Sequence, residues 1–401
     1  MILAPAKILP SKRLALQITY LVGLATLSVL LYIEPHLRFE NPSFTLSNAL
    51  LSDILRAWLA ISILLYTYYY RFFLSRTPFF LALICLVVLY TRVFFTPSPV
   101  NEVLILTPIT IFVICSAFSV HVSISRSRYT YALGSLLVLS CLSFTYSIIN
   151  ASTFHFAAGT PLEAQRFTFT FESAGAPITI IVSMSLLIAG KRLSLSFLSL
   201  FSVALAFIRL FTAASKGSIA ISLVIVFSLL LIKLSMRSIF ILVLLLTLVM
   251  STFYLFNDTD SFYHYLQVIE ARSLSHDTFF ARFDEAFNDW HAFLARPLLG
   301  WGRFVPGANF FGEPSYGHFA LTGTIARFGL PCGLMLLYFV VRVFILQIRR
   351  SFAFWTSDIR APISAGLFIY VIYLLIMGNP LFLYPAFGFL PLLVPATLEE
   401  E

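Results

Sequence analysis

Long apolar runs separated by short polar breaks make up most of this chain. A helix rising 1.5 Å per residue needs about 20 mostly apolar residues to cross a hydrocarbon layer of roughly 30 Å. Runs of that kind are Leu14–Ile33, Leu50–Tyr70, Phe79–Phe95, Val103–Val122, Tyr131–Ile149, Ala174–Ala189, Leu193–Phe211, Ser218–Leu234, Ile239–Phe256, Ala320–Ile348, Ala361–Met377 and Phe382–Thr397. The hydropathy pattern therefore predicts an all-α, polytopic membrane bundle of about twelve helices. Phe79–Phe95, Ala174–Ala189 and Phe382–Thr397 are short and need flanking residues. Ala320–Ile348 is long, and Gly329-Leu330-Pro331 predicts a break or a re-entrant segment inside it. Residues 1–256 thus hold the first nine helices, 257–318 form one large polar loop, and 319–401 hold the last three. No internal repeat or low-complexity tract interrupts this order.

Composition agrees with the pattern. Of 401 residues, 59% are hydrophobic and 11% charged, whereas a soluble domain is near half apolar and a quarter charged. The formal charge of +8 is scattered singly or in pairs between apolar runs, which is no nucleic-acid signal. It marks topology instead. With the N-terminus in the cytoplasm, Arg71 and Arg76, Arg126 and Arg128, Lys191 and Arg192, Lys233 and Arg237, and Arg349 and Arg350 all fall on inner loops, as the positive-inside rule requires. Both termini are then cytoplasmic, and the loop from Asn257 to His318 is external, which in a bacterium means periplasmic. Lys7, Lys12 and Arg13 precede a first apolar run longer than a signal-peptide core, so that run reads as a retained span. Cys85, Cys115, Cys141 and Cys332 have no metal-site or disulfide spacing and read as small core residues.

A second set of basic residues runs against the rule. Arg38, Arg56, Arg92, Arg166, Arg209, Lys216, Arg272, Arg282, Arg296, Arg303 and Arg327 lie on the outer side or near outer helix ends. Some will pair with acids or snorkel to headgroups; as a group they point to an outward cavity for an anion. Ionisable groups within spans are functional candidates by default, and Arg209 with Lys216 flanks a very short turn. Lys216 opens a helix in Ser215-Lys216-Gly217-Ser218, where free N–H groups and the dipole favour an anion; a plain cap with a snorkelling lysine fits equally. In the Asn150–Pro177 loop, Phe167, Phe169 and Phe171 alternate with threonines, which predicts an extended segment. Ser173 is then the cap of the next helix. Arg166 and Glu172 either bind a substrate or pair with each other.

The large loop is the richest stretch. Phe279, Phe280, Phe283, Phe287, Trp290 and Leu294 recur at near-helical spacing, which predicts an amphipathic helix lying at the membrane interface. Asp277 caps it and Pro297 follows its end. Arg282 lies on another face with Glu285, Ala286 and Asp289, free to grip a phosphate bidentately unless Glu285 holds it. Pro297-Leu298-Leu299-Gly300-Trp301-Gly302-Arg303 predicts a tight turn where backbone can approach a ligand. Glu313-Pro314-Ser315-Tyr316-Gly317-His318 then leads into the next span, with Glu313 and His318 as the general-base candidates.

The order of these motifs resembles the O-antigen polymerase and O-antigen ligase family of bacterial envelope proteins. An arginine precedes an inward helix, a Ser-basic-Gly sequence opens another, and Arg…Trp…Pro-Leu-Leu-Gly-Trp-Gly fills a large periplasmic loop before a histidine and a Gly-rich span. The match covers roughly Arg166 to Gly333. The resemblance implies a glycosyltransferase-C type bundle in the bacterial inner membrane that uses undecaprenyl-pyrophosphate-linked oligosaccharide as donor. It implies an inverting transfer without metal, cofactor or nucleotide sugar. An acceptor hydroxyl attacks the anomeric carbon and lipid pyrophosphate leaves, its charge met by basic residues. His318, Glu313 and Arg282 take the catalytic positions. Arg166, Glu172, Arg209, Lys216, Arg282, Arg303, Trp290 and Tyr316 take the pyrophosphate and glycan contacts. A chain-length regulator protein is an expected partner. Lys216 stands where the family has arginine, and Phe319 where ligases have asparagine; the second departure favours a polymerase over a ligase that attaches glycan to lipid A core. A lipid-linked sugar flippase is the third reading, but a transporter should show repeats and midplane charges.

Overall fold

The structure, a computed structural model, describes residues 10–33, 110–116, 118–119, 122–154, 162–189, 193–212, 216–231, 277–301, 320–345, 358–377 and 385–399, with isolated helical positions at 84, 87, 240, 241, 243, 247 and 348. These residues are mostly helical. In chain order they form α1 (Pro10–Tyr32), β1 (Ser123–Ser125), α2 (Arg126–Phe154), α3 (Leu162–Ala189), α4 (Leu193–Thr212) and α5 (Lys216–Leu231). Then follow α6 (Asp277–Ala295), α7 (Ala320–Val340), a π-helical turn (Val341–Ile345), α8 (Arg360–Met377), a 3₁₀ helix (Pro385–Leu393) and β2 (Thr397–Glu399). The apolar run Leu50–Tyr70, and nearly all of Phe79–Phe95 and Ile239–Phe256, lie outside the described residues.

Where run and helix can be compared, they agree closely, because in these stretches helix is the one conformation that satisfies every backbone group without outside partners. Among the described residues one helix, over Arg126–Ile149, is long and apolar enough to cross a membrane; Gln17–Tyr32, Gly175–Ala189, Ser194–Leu210, Gly217–Leu231 and Arg360–Leu374 are shorter apolar helices.

Two expectations are overturned. Phe167, Phe169 and Phe171 are not extended: they lie inside α3, which starts at Leu162, so Ser173 is mid-helix and caps nothing. A formed helix extends by one bond per residue fixed, and that gain outweighs a short alternating pattern. Pro177 lies inside the same helix, which continues through it to Ala189. The apolar run Phe382–Thr397 is not an α-helix either. It folds as a 3₁₀ helix over Pro385–Leu393 and then as β2. Pro385, Pro391 and Pro395 each lack an N–H, so a regular i to i−4 ladder cannot run through them.

α3 packs on α4, α5 and α8, while α1 and α2 pack on α3 and on each other. One continuous core joins these helices, with Tyr20, Leu27, Leu137, Phe144, Ile181 and Phe389 fully buried. One end of this bundle is closed by β1, β2 and the 3₁₀ helix against α1, α2 and α8. β1 pairs in parallel with β2, Ser123 opposite Thr397 and Ser125 opposite Glu399. Tyr20 donates to the Leu392 carbonyl, and Tyr129 donates to Leu393 O at 2.5 Å. Arg128 donates to Gln17 Oε1 at 2.6 Å. Arg360 grips Asp358, with Nη2 to Oδ2 at 2.6 Å, and also donates to the Ala396 carbonyl. The starts of α1, α2 and α8 therefore share one end with the C-terminal strand. Tyr32, at the other end of α1, meets Thr179 Oγ1 at 2.7 Å.

Candidate functional site

The far end of the bundle carries the first group of predicted residues. α4 leaves the α3–α4 turn and arrives there at Arg209, in its last turn. Arg209 is buried, 2% exposed, and its charge sits where the helix dipole is negative, which favours it. Lys216 is the first residue of α5, where the dipole opposes a cation and favours an anion. A Cβ on Gly217 would collide with the Tyr373 hydroxyl, so α8 lays a phenol directly on the start of α5. Tyr373 stacks on Tyr370, ring centroids 6.5 Å apart. From Arg360 to Tyr373 α8 rises about 20 Å, which carries it from the closed end to this one. Tyr373 is not among the residues that the sequence singles out. Nothing in its local pattern distinguishes it from the chain's other tyrosines, and only the approach of α8 to α5 brings it to Gly217. Arg166 and Glu172 are both in α3, on a helix that touches α4 and α5.

The second group is on α6 and α7. The helix predicted from Asp277 ends at Ala295 as expected, and Arg282 lies in it. Of its apolar stripe, Phe287, Trp290 and Leu294 are exposed. Leu298, Leu299, Leu330 and Leu334 extend this exposed apolar surface onto the turn and α7. The buried stripe is Asp289, Ala292 and Phe293, packed with Ala326 of α7. Asp289 is thus fully buried, and its Oδ2 lies 3.5 Å from Thr322 Oγ1. Its burial was legible in hindsight, since three- and four-residue spacing sets it beside Ala292 and Phe293. Arg327, on α7, is also buried, 2% exposed. A buried arginine and a buried aspartate on two touching helices are the strongest ionisable features of this region.

After α6 the chain turns at Pro297-Leu298-Leu299-Gly300. Gly300 has φ 62°, a left-handed conformation that favours glycine. Trp301 Nε1 donates to Ala292 O at 2.7 Å, and the Arg296 guanidinium lies 3.8 Å from the centre of the Trp301 ring. That cation–π contact folds the turn back on α6. α7 is broken at Gly329, φ 76° and ψ 170°, where the sequence predicted a break. The turn docks against this break.

Of the residues singled out from sequence, Arg209, Lys216 and Gly217 are brought to one end, and Arg282 and Trp290 share α6. α5 packs on α8, α8 on α7 and α7 on α6, so α8 stands between the two groups. Arg303, Glu313, Tyr316 and His318 lie outside the described residues. Among the described residues no cluster of three or more His, Cys, Asp or Glu could hold a metal ion. Compared with known proteins, the chain matches no family model and no curated sequence.

Proposed function

We propose that this protein is a surface-polysaccharide polymerase that joins undecaprenyl-pyrophosphate-linked oligosaccharide units at the periplasmic face of the bacterial inner membrane. In this reading the bundle is polytopic and the large loop carries the site. The observation that carries it is the juxtaposition at the α6–α7 junction. A helix bearing Arg282 ends in a glycine turn that closes on the break of the helix following His318. It is the kind of frame that could hold a leaving pyrophosphate between fixed cations. Lys216 at the start of α5 would be the second cation. Its helix N-terminus supplies N–H groups that stabilise developing negative charge.

The exposed apolar surface of Phe287, Trp290, Leu294, Leu298 and Leu299 supports the reading further. On a helix outside the main core, such a surface is at home at a lipid boundary, where a polyprenyl-linked donor is delivered. His318 or Glu313 would accept the proton from the attacking hydroxyl. The experiment is gene deletion with complementation. A polymerase deletion leaves a single repeat unit on the surface glycan, a ligase deletion accumulates full-length chains on carrier lipid, and unchanged surface glycan rejects both.

A further inference from the structure

The break in α7 opens a gap in its hydrogen-bond ladder. In an unbroken helix Leu330 N–H would donate to Ala326 O, four residues back, and residue 331 to Arg327 O. Gly329 removes the first bond by leaving helical φ and ψ, and Pro331 has no N–H for the second. Orphaned backbone groups of this kind need partners. The turn after α6 supplies them: Leu330 N–H donates to Pro297 O at 2.8 Å, and Trp301 N–H donates to Ala326 O at 2.9 Å. These two bonds set residues 297–301 antiparallel to 326–330, with Gly300 opposite Arg327 and Gly329 opposite Leu298.

That register places each glycine against backbone. A Cβ on Gly300 would stand 2.7 Å from Ala326 O and closer still to the Arg327 carbonyl. A Cβ on Gly329 would stand 2.5 Å from the Leu298 carbonyl carbon and 3.0 Å from Leu299 N. Neither neighbour can move aside without breaking the pairing. We infer that Gly300 and Gly329 are an interlocking pair of positioning residues, and that the turn serves as the missing rung of α7. The lock makes α6, turn and broken helix one rigid body, which fixes Arg282 relative to the mouth of α7. This last step rests on the proposed polymerase reading; the lock itself does not.

The test separates left-handed geometry from close approach. Asparagine tolerates positive φ but carries a Cβ. A simple glycine turn therefore accepts Gly300→Asn, whereas the lock rejects it as firmly as Gly300→Ala. The readout is a short thiol cross-link between Leu298→Cys and Leu330→Cys, both exposed, in the full-length protein with its four native cysteines changed to alanine. We expect ready cross-linking with both glycines present, and its loss in Gly300→Asn; Gly329, at ψ 170°, sits where asparagine is as strained as alanine and does not discriminate. Gly333→Ala is the control, because a Cβ there meets only the Ile325 side chain. Should Gly300→Asn fail to accumulate, Gly300→Asp, which also tolerates positive φ, is read the same way. Undiminished cross-linking in these variants overturns the lock. In the same cells, glycan elongation should fall about a hundredfold, the loss expected for a roughly 1 Å misplacement. Loss of the cross-link with normal elongation overturns the positioning role and leaves the lock. If gene deletion does not alter the glycan, the polymerase reading fails and the cross-linking result stands unaffected.

Discussion

Two regions of this molecule are closed in opposite ways. At the end where β1 meets β2, a short backbone ladder is tied in by side chains. Tyr20 and Tyr129 reach the successive carbonyls of Leu392 and Leu393, and Arg360 ties Asp358 to the Ala396 carbonyl. At the α6–α7 junction, backbone meets backbone, and the joint exists because two side chains are absent. The first kind of closure degrades gradually, since each hydroxyl or guanidinium can be removed alone. The second is all-or-none, since any added carbon collides with a peptide group. A joint of the first kind suits the anchoring of a chain end. One of the second kind suits a site where angles must be held.

The largest effect expected is one of compartment. β1 and β2 are paired, so reporter fusions at Arg126 and after Glu399 must report the same side. We expect both to be cytoplasmic, together with one at Lys191, and fusions within Asn257–Ser315 to be periplasmic. A cytoplasmic signal from the large loop would undo the assignment of the site to the outer face.

Next in size is chemistry at the junction. Arg282→Ala should lower glycan elongation by about 10² to 10³, the usual loss when one transition-state donor is removed. Arg282→Lys should restore part of it, because a point charge replaces a planar fork. Lys216→Arg should be tolerated. Chain length on a gel at matched expression decides. Normal elongation in Arg282→Ala would make this arginine structural, in a helix pair with Glu285 of the kind worth only about 0.3–0.5 kcal/mol.

Smaller effects are expected at the closed end, and on stability alone. Arg360→Ala removes a half-buried ion pair and a charged hydrogen bond, and should destabilise the protein by about 2–3 kcal/mol. Tyr129→Phe should cost about 1 kcal/mol, because the buried Leu393 carbonyl loses its donor. Both are read from thermal unfolding in detergent. Elongation per molecule should be unchanged, and a specific loss of activity in either would link the closed end to the site.

Much of this was legible in the sequence. Apolar runs determined α4, α5 and α8 to within three residues at either end, and α1 and α2 to within five, since a long apolar stretch must satisfy its backbone internally and helix does so locally. Spacing determined α6 and its apolar stripe, and Gly329 with Pro331 determined the break in α7. The positive φ of Gly300 was implicit in a tight turn. Local pattern misled at Phe167–Phe171 and at Phe382–Thr397. In the first a neighbouring helix propagated through an alternating segment; in the second three prolines denied the ladder its donors. What only the tertiary structure decided is pairing across sequence distance: β1 with β2, Tyr373 with Gly217, Asp289 with Thr322, and the 297–301 turn with the 326–330 break. Such contacts depend on which faces the helices turn toward one another. No local rule encodes that, because the free energy that selects it comes from burying those faces together.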